Sequence, residues 1–128
     1  MLRLIVSSHG KLAEELVESS YMIFGRQDGV FALEFDLDED LNDIKEKYQV
    51  IFLCDLFGGS PFNGAKAFID EDSKRYGLIG GLNLAMLIEA YVLRQSGKPL
   101  AEVVSILEET GRYGIRRYEA GDDIDDGC

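Results

Sequence analysis

The sequence predicts an α/β fold, a doubly wound and mainly parallel sheet of four strands in the order 2-1-3-4, with helices on both faces and a C-terminal antiparallel edge strand. Short apolar runs rich in β-branched residues alternate four times with segments of helical period. The connections between them are short, which favours right-handed crossovers between parallel strands. Glycine and proline punctuate the alternation rather than interrupting its elements.

Leu2 to Val6 reads as the first strand. Leu12, Glu15, Leu16, Ser19, Met22 and Ile23 then recur at helical spacing until Gly25 stops them. Val30 to Phe35 is the second strand, and Asp38 to Tyr48 a polar helix with Leu41, Ile44 and Tyr48 on one buried stripe. Val50 to Cys54 is a continuous apolar run ending at Asp55, the pattern of a central strand covered on both faces. Ser60-Pro61 opens the next helix as N-cap and first-turn proline, with Ala65, Phe68 and Ile69 on its apolar face. Tyr76 to Ile79 is the fourth strand, closed by Gly80-Gly81. Asn83 caps a helix through Met86, Leu87, Ala90 and Leu93, which Gly97-Lys98-Pro99 ends. The last helix spans about Leu100 to Thr110 and ends at Gly111, and Tyr113 to Tyr118 reads as frayed helix or, by preference, as a short edge strand.

The 128 residues suit one domain with a real core, and 46% hydrophobic with 29% charged residues is ordinary globular composition. A net charge of −11 argues against nucleic acid, whose phosphates demand clustered Lys and Arg. A basic protein partner suits it better, although part of the excess lies in the tail at Asp122, Asp123, Asp125 and Asp126. Cys54 in an apolar run and Cys128 at the end make no disulfide framework, as expected of a reducing cytoplasm. The first apolar run turns polar too soon for a signal-peptide core, and no stretch approaches the ~20 apolar residues of a membrane span. A cytoplasmic protein is expected.

In such a sheet, catalytic groups gather beyond the carboxyl ends of the strands, where the strand order reverses. With strands one and three adjacent, Ser7, Ser8, His9 and Gly10 share that crevice with Asp55, Leu56 and Phe57. A carboxylate accepting a hydrogen bond from one ring nitrogen fixes the tautomer and leaves the other as an oriented nucleophile. His9 is therefore the candidate nucleophile and Asp55 its orienting group. Gly58-Gly59-Ser60 lets backbone amides at a helix start approach an anion, so a phosphoryl group on His9 can rest there, with Ser8 as an extra donor. No ring of Cys, His or paired acids stands nearby at metal-ligand spacing, so neither metal nor organic cofactor is expected.

Ser8-His9-Gly10 after the first strand, Asp55 to Asn63 (Asp-Leu-Phe-Gly-Gly-Ser-Pro-Phe-Asn) after the third, and Gly80 to Leu84 (Gly-Gly-Leu-Asn-Leu) after the fourth carry a specific likeness. The chain resembles the enzyme IIA component of the mannose family of the bacterial phosphoenolpyruvate-dependent sugar phosphotransferase system. The likeness runs from Met1 to about Tyr118, which divides the chain into a IIA domain (1–118) and an acidic tail (119–128). It implies a phosphohistidine at His9 positioned by Asp55, the phosphocarrier HPr as donor, an enzyme IIB as acceptor, and membrane permease subunits that pass phosphate to the sugar. It also implies a homodimer that exchanges a C-terminal edge strand, with Ile115 to Tyr118 on the partner's sheet. Ala85 stands where the family often shows proline. The chain stops at Cys128, where some relatives continue into a fused IIB domain, so the acceptor is expected to be a separate chain.

Plainer readings compete with each of these. A histidine at a strand end is commonly a satisfied structural residue, Asp55 alone could merely terminate a strand, and Gly58 to Pro61 could be a capped turn. Gly59 and Gly64 have P-loop separation, but Ala65-Lys66 stands where Lys-Ser or Lys-Thr is required. Met22 and Met86 read as core, and one of Phe57 and Phe62 reads equally as an exposed docking residue or as core. Lys11, Arg112, Arg116 and Arg117 read as solvated charges, one of which could approach a phosphate. Two other functions remain open: a regulatory module of the same fold governed by its phosphorylation state, and the phosphocarrier subunit of a dihydroxyacetone kinase.

Overall fold

The computed structural model describes residues 2–34 and 48–124. Four strands, β1 (Arg3–Ser8), β2 (Val30–Glu34), β3 (Val50–Cys54) and β4 (Tyr76–Gly80), form one sheet in the order β2-β1-β3-β4. Every pairing is parallel, with Ser7 opposite both Leu33 and Cys54, and Cys54 opposite Gly80. Alternation along β1 and β3 serves two cores. Leu4, Val6, Ile51 and Leu53 pack with α1 (Leu12–Phe24), α3 (Leu84–Leu93) and α4 (Leu100–Tyr113), and Ile5, Val50, Phe52 and Cys54 pack with α2 (Ser60–Glu71). Both faces of the central strands are thus dry, which is why these strands are continuous apolar runs.

Several boundaries and faces differ from the sequence expectation for local reasons. In α1 the buried residues are Ala13, Val17 and Ser20, one position round from the predicted stripe, and Met22 is 88% exposed. Ser20 is tolerated inside because its hydroxyl donates to the Val17 carbonyl (2.6 Å) and shares a 2.6 Å hydrogen bond with Tyr91. The N-cap of α2 is Gly59, with Ser60 already helical and Pro61 in the first turn. Gly111 does not end α4: it lies buried inside the helix, where an added Cβ would stand 2.5 Å from Met86 Cε. The Gly111 carbonyl also accepts a 2.7 Å bond from Asn83 Nδ2, so the glycine marks close helix packing rather than a stop.

Asn83 caps α3 as expected, its Oδ1 accepting from the Met86 amide at 3.0 Å. Residues 115–119, by contrast, form no strand within this chain, and the expected edge strand is absent from its sheet. The predicted helix over Asp38 to Tyr48 lies, but for Tyr48, outside the described residues, as do Phe35, Asp125, Asp126 and Cys128.

Candidate functional site

Parallel pairing of β1 with β3 brings two chain segments out of the sheet side by side. The ladder continues one step past β3, where the Asp55 amide donates to the Ser7 carbonyl at 3.2 Å. Past β1, Gly10 takes a positive φ of 56°, which lets the chain turn sharply into α1. Ser8 is buried, and its Oγ accepts from the Ala13 amide at 2.7 Å, so it ties the turn to the first turn of α1. His9 is thereby held at the rim, its side chain 52% exposed beside an Asp55 side chain that is 12% exposed.

One carboxylate oxygen engages this histidine twice. Asp55 Oδ2 accepts from the His9 main-chain N–H at 3.1 Å and lies 2.9 Å from Nδ1. Burial by itself pushes the Asp55 carboxyl up, but the side-chain and main-chain hydrogen bonds from His9, with help from the Leu56 amide, outweigh it and hold the group below its usual value. An ionised Asp55 has no proton to give, so Nδ1 must be the donor and Nε2 carries the lone pair. Asp55 Oδ1 is buried without a partner, which concentrates the carboxylate's role in Oδ2.

The segment after Asp55 closes over the ring. Gly58 adopts φ 81°, and its carbonyl is held by Asn63 Nδ2 at 3.1 Å. The Gly59 amide donates to the Leu56 carbonyl at 3.1 Å. At Gly59 the backbone is extended rather than left-handed, yet an added Cβ would stand 3.0 Å from His9 Cε1. Absence of a side chain there is a matter of space: the imidazole packs against bare backbone, next to the first amides of α2. Orphan amides at a helix start favour an anion, and they follow directly after the residue that touches the ring.

Of the residues singled out from sequence, the structure brings His9, Asp55, Gly58 and Gly59 together, with Ser60 opening α2. Ser8 is drawn inward to the α1 start. Arg112 pairs with Glu108 at 2.8 Å and Arg117 with Glu119 at 3.0 Å, on surface positions. Phe57 is 75% exposed while Phe62 is buried against it, ring centroids 4.5 Å apart. Leu12 and Leu56 are exposed too, an apolar rim that helical spacing and the loop sequence do not reveal. Among the described residues no three His, Cys, Asp or Glu side chains cluster as metal ligands, and no helix is long and apolar enough to cross a membrane.

Comparison with known proteins points the same way. A family model described as the PTS system fructose IIA component matches residues 3–108. The PTS system mannose-specific EIIAB component of Escherichia coli K12 is 32% identical over 130 aligned positions, covering 93% of this chain and 40% of the relative. The chain thus spans about two fifths of that relative's length. The PTS system fructose-specific EIIA component of Bacillus subtilis is 39% identical over 106 positions, covering 74% of this chain and 72% of the relative. Among solved structures, phosphotransferase system component EIIA from Streptococcus agalactiae superposes with a TM-score of 0.78 at 28% identity, covering 91% of this chain and 97% of that one. The mannose/sorbose specific IIA subunit from Enterococcus faecalis gives 0.73 at 26%, covering 95% and 98%. With its fold, its rim histidine and these likenesses together, the chain belongs to the mannose/fructose family of phosphotransferase-system IIA components.

Proposed function

We propose that this chain is a cytoplasmic phosphocarrier that accepts a phosphoryl group from HPr on His9 Nε2 and passes it to an enzyme IIB for sugar uptake through membrane permease subunits. The observation that carries this reading is the double engagement of Asp55 Oδ2 by the His9 amide and Nδ1, which leaves Nε2 as the one ring nitrogen with a lone pair. In the first step that lone pair forms an N–P bond, the N–P bond to the donor's imidazole breaks, and its electron pair returns to the donor ring. Asp55 balances the positive charge that spreads over the His9 ring as the bond forms. The loop Gly58 to Ser60 receives the phosphoryl oxygens, with the amides of Gly58 and Ser60 as donors and Gly59, whose amide is held by the Leu56 carbonyl, leaving room beside the ring, and Ser8 supports the site by holding the turn. The second step runs the same exchange towards the acceptor's nucleophile.

The working unit in this reading is 1–118, with 119–128 as an acidic tail. A homodimer by strand exchange fits the open edge of β4, beside which a cavity of about 410 Å³ runs between Phe57, Gly80, Met86, Gly111 and Ile115. Ile115 and Tyr118 are exposed in the single chain, as segments awaiting a partner sheet would be.

The test is phosphorylation in vitro with phosphoenolpyruvate, enzyme I and HPr. Acid-labile phosphate should appear on the wild type and not on His9→Ala. Label on both proteins, or on neither when HPr itself is charged, rejects the reading. Label that no enzyme IIB discharges would favour the regulatory module instead.

A further inference from the structure

Between β3 and α2 two adjacent glycines lie beside the His9 ring, and one residue holds both of their carbonyls. Asn63, in the first turn of α2, donates from Nδ2 to the Gly58 carbonyl at 3.1 Å and from its main-chain amide to the Gly59 carbonyl at 2.9 Å. The Gly59 amide is engaged as well, donating to the Leu56 carbonyl at 3.1 Å. Among the described residues, the amides of Gly58 and Ser60 meet no acceptor.

Leu56 to Gly59 is a β-turn closed by that last bond. Its third residue, Gly58, has φ 81°, and Phe57 has no positive φ, so the turn is of type II. Neither glycine carries a Cβ, so sterics alone hold the peptide between them only weakly. Two hydrogen bonds fix it instead: Gly59 N–H to Leu56 and Gly58 C=O to the Asn63 side chain. In a trans peptide the N–H points opposite to the C=O. With the Gly59 carbonyl directed along α2 to Asn63, the Ser60 amide is directed out of the helix start. Gly59 lies so near His9 that an added Cβ would stand 3.0 Å from Cε1, the ring carbon bonded to Nε2. A carbonyl oxygen turned towards that place would repel phosphoryl oxygens.

We propose that Asn63 is a positioning residue for phosphoryl transfer: its side-chain amide locks the Gly58 carbonyl onto α2, so that the loop beside His9 presents amides to the phosphoryl oxygens. This rests on His9 being the phosphorylated residue. Asn63 acts through the loop. Dipoles fixed before the reaction need no reorganisation when charge arrives, which is the condition under which they stabilise it most. Alanine at position 63 leaves the Gly58 carbonyl unheld, and ionised aspartate has no hydrogen to donate to it.

The test uses potassium phosphoramidate, which needs no partner protein: its N–P bond breaks, ammonia leaves with the electron pair, and His9 Nε2 forms the new N–P bond while Nδ1 keeps its proton. Nitrogen-15-labelled wild type and Asn63→Ala are followed by phosphorus and amide-proton resonances. In the wild type the Gly58 and Ser60 amide protons should move downfield as His9 is phosphorylated. In Asn63→Ala those displacements should fall by about half or more, and labelling should slow about three- to tenfold, the range of one neutral hydrogen bond. The urea midpoint should barely change, because position 63 is exposed on a helix that alanine favours. Asn63→Asp at pH 8 should slow labelling at least as much. Undiminished displacements in Asn63→Ala, no displacement at Gly58 and Ser60 in the wild type, or labelling of both variants within about twofold of wild type would overturn the proposal. Transfer from HPr without these loop effects rejects the role of Asn63 alone. The loop effects without transfer from HPr support that role and reject the donor.

Discussion

Replacing Asp55 by Asn removes the charge that sets the His9 tautomer while keeping the side chain's size. The bond lost is a charge-assisted one of 2.9 Å, supported by a second contact of 3.1 Å to the same oxygen. Hydrogen bonds to charged groups contribute about 1.5–3 kcal/mol, and each 1.36 kcal/mol is tenfold in rate, which gives about 10- to 150-fold. His9 is half exposed, so solvent competes for the ring and the lower part of that range applies, about 10-fold or somewhat more. Rapid-quench measurement of phosphoryl transfer from phosphorylated HPr to wild type and Asp55→Asn reads this directly. Circular dichroism would establish that both are folded. A folded Asp55→Asn whose transfer rate falls less than threefold would refute the claim that the carboxylate orients the ring.

Gly59→Ala should leave the backbone unstrained but press on the ring from 3.0 Å, so transfer should slow at least fivefold while stability changes by less than about 1 kcal/mol in urea titrations. Gly80→Ala meets backbone instead, with Phe57 Cα 2.6 Å from the new Cβ, and should cost about 1–3 kcal/mol by the same measurement. The Asp55 group lies below its usual value of 3.8 in the folded protein, so its stabilising contribution is complete above that value and vanishes as pH falls through the folded one. Urea titrations from pH 6 down to about 2 should accordingly show the stability gap between wild type and Asp55→Asn closing only below the usual carboxylate range. The buried Cys54 thiol, pushed up to about 12, should resist a thiol reagent at pH 8 in a Cys128→Ser background and react once urea unfolds the chain.

The legible parts of this molecule were those fixed by local pattern. Val50 to Cys54 declares a strand buried on both faces, and parallel order then places the residues after β1 and β3 in one crevice, which is why the pairing of His9 with Asp55 is legible in the sequence. Features set by close approach between distant segments were not legible. Gly111 looks like a helix stop until Met86 is seen against it, and Gly59 looks like a turn residue until the imidazole is seen 3.0 Å from its missing Cβ. The α1 stripe was misplaced because Leu12 and Met22 suggested a face that Ala13, Val17 and Ser20 occupy, small residues that let α1 sit close to Tyr91. Residues 115–119 take no strand pairing in the single chain, and an exchanged edge strand would pair only when a second copy is present, which local pattern cannot show.

The central claim concerns one nitrogen atom, and proton–nitrogen correlation of the phosphorylated protein, labelled with nitrogen-15 at histidine, addresses it most directly. The account predicts phosphorus on Nε2 of His9, with the Nδ1 proton retained and protected by Asp55. Phosphorus on Nδ1, or on a side chain other than His9, would contradict it.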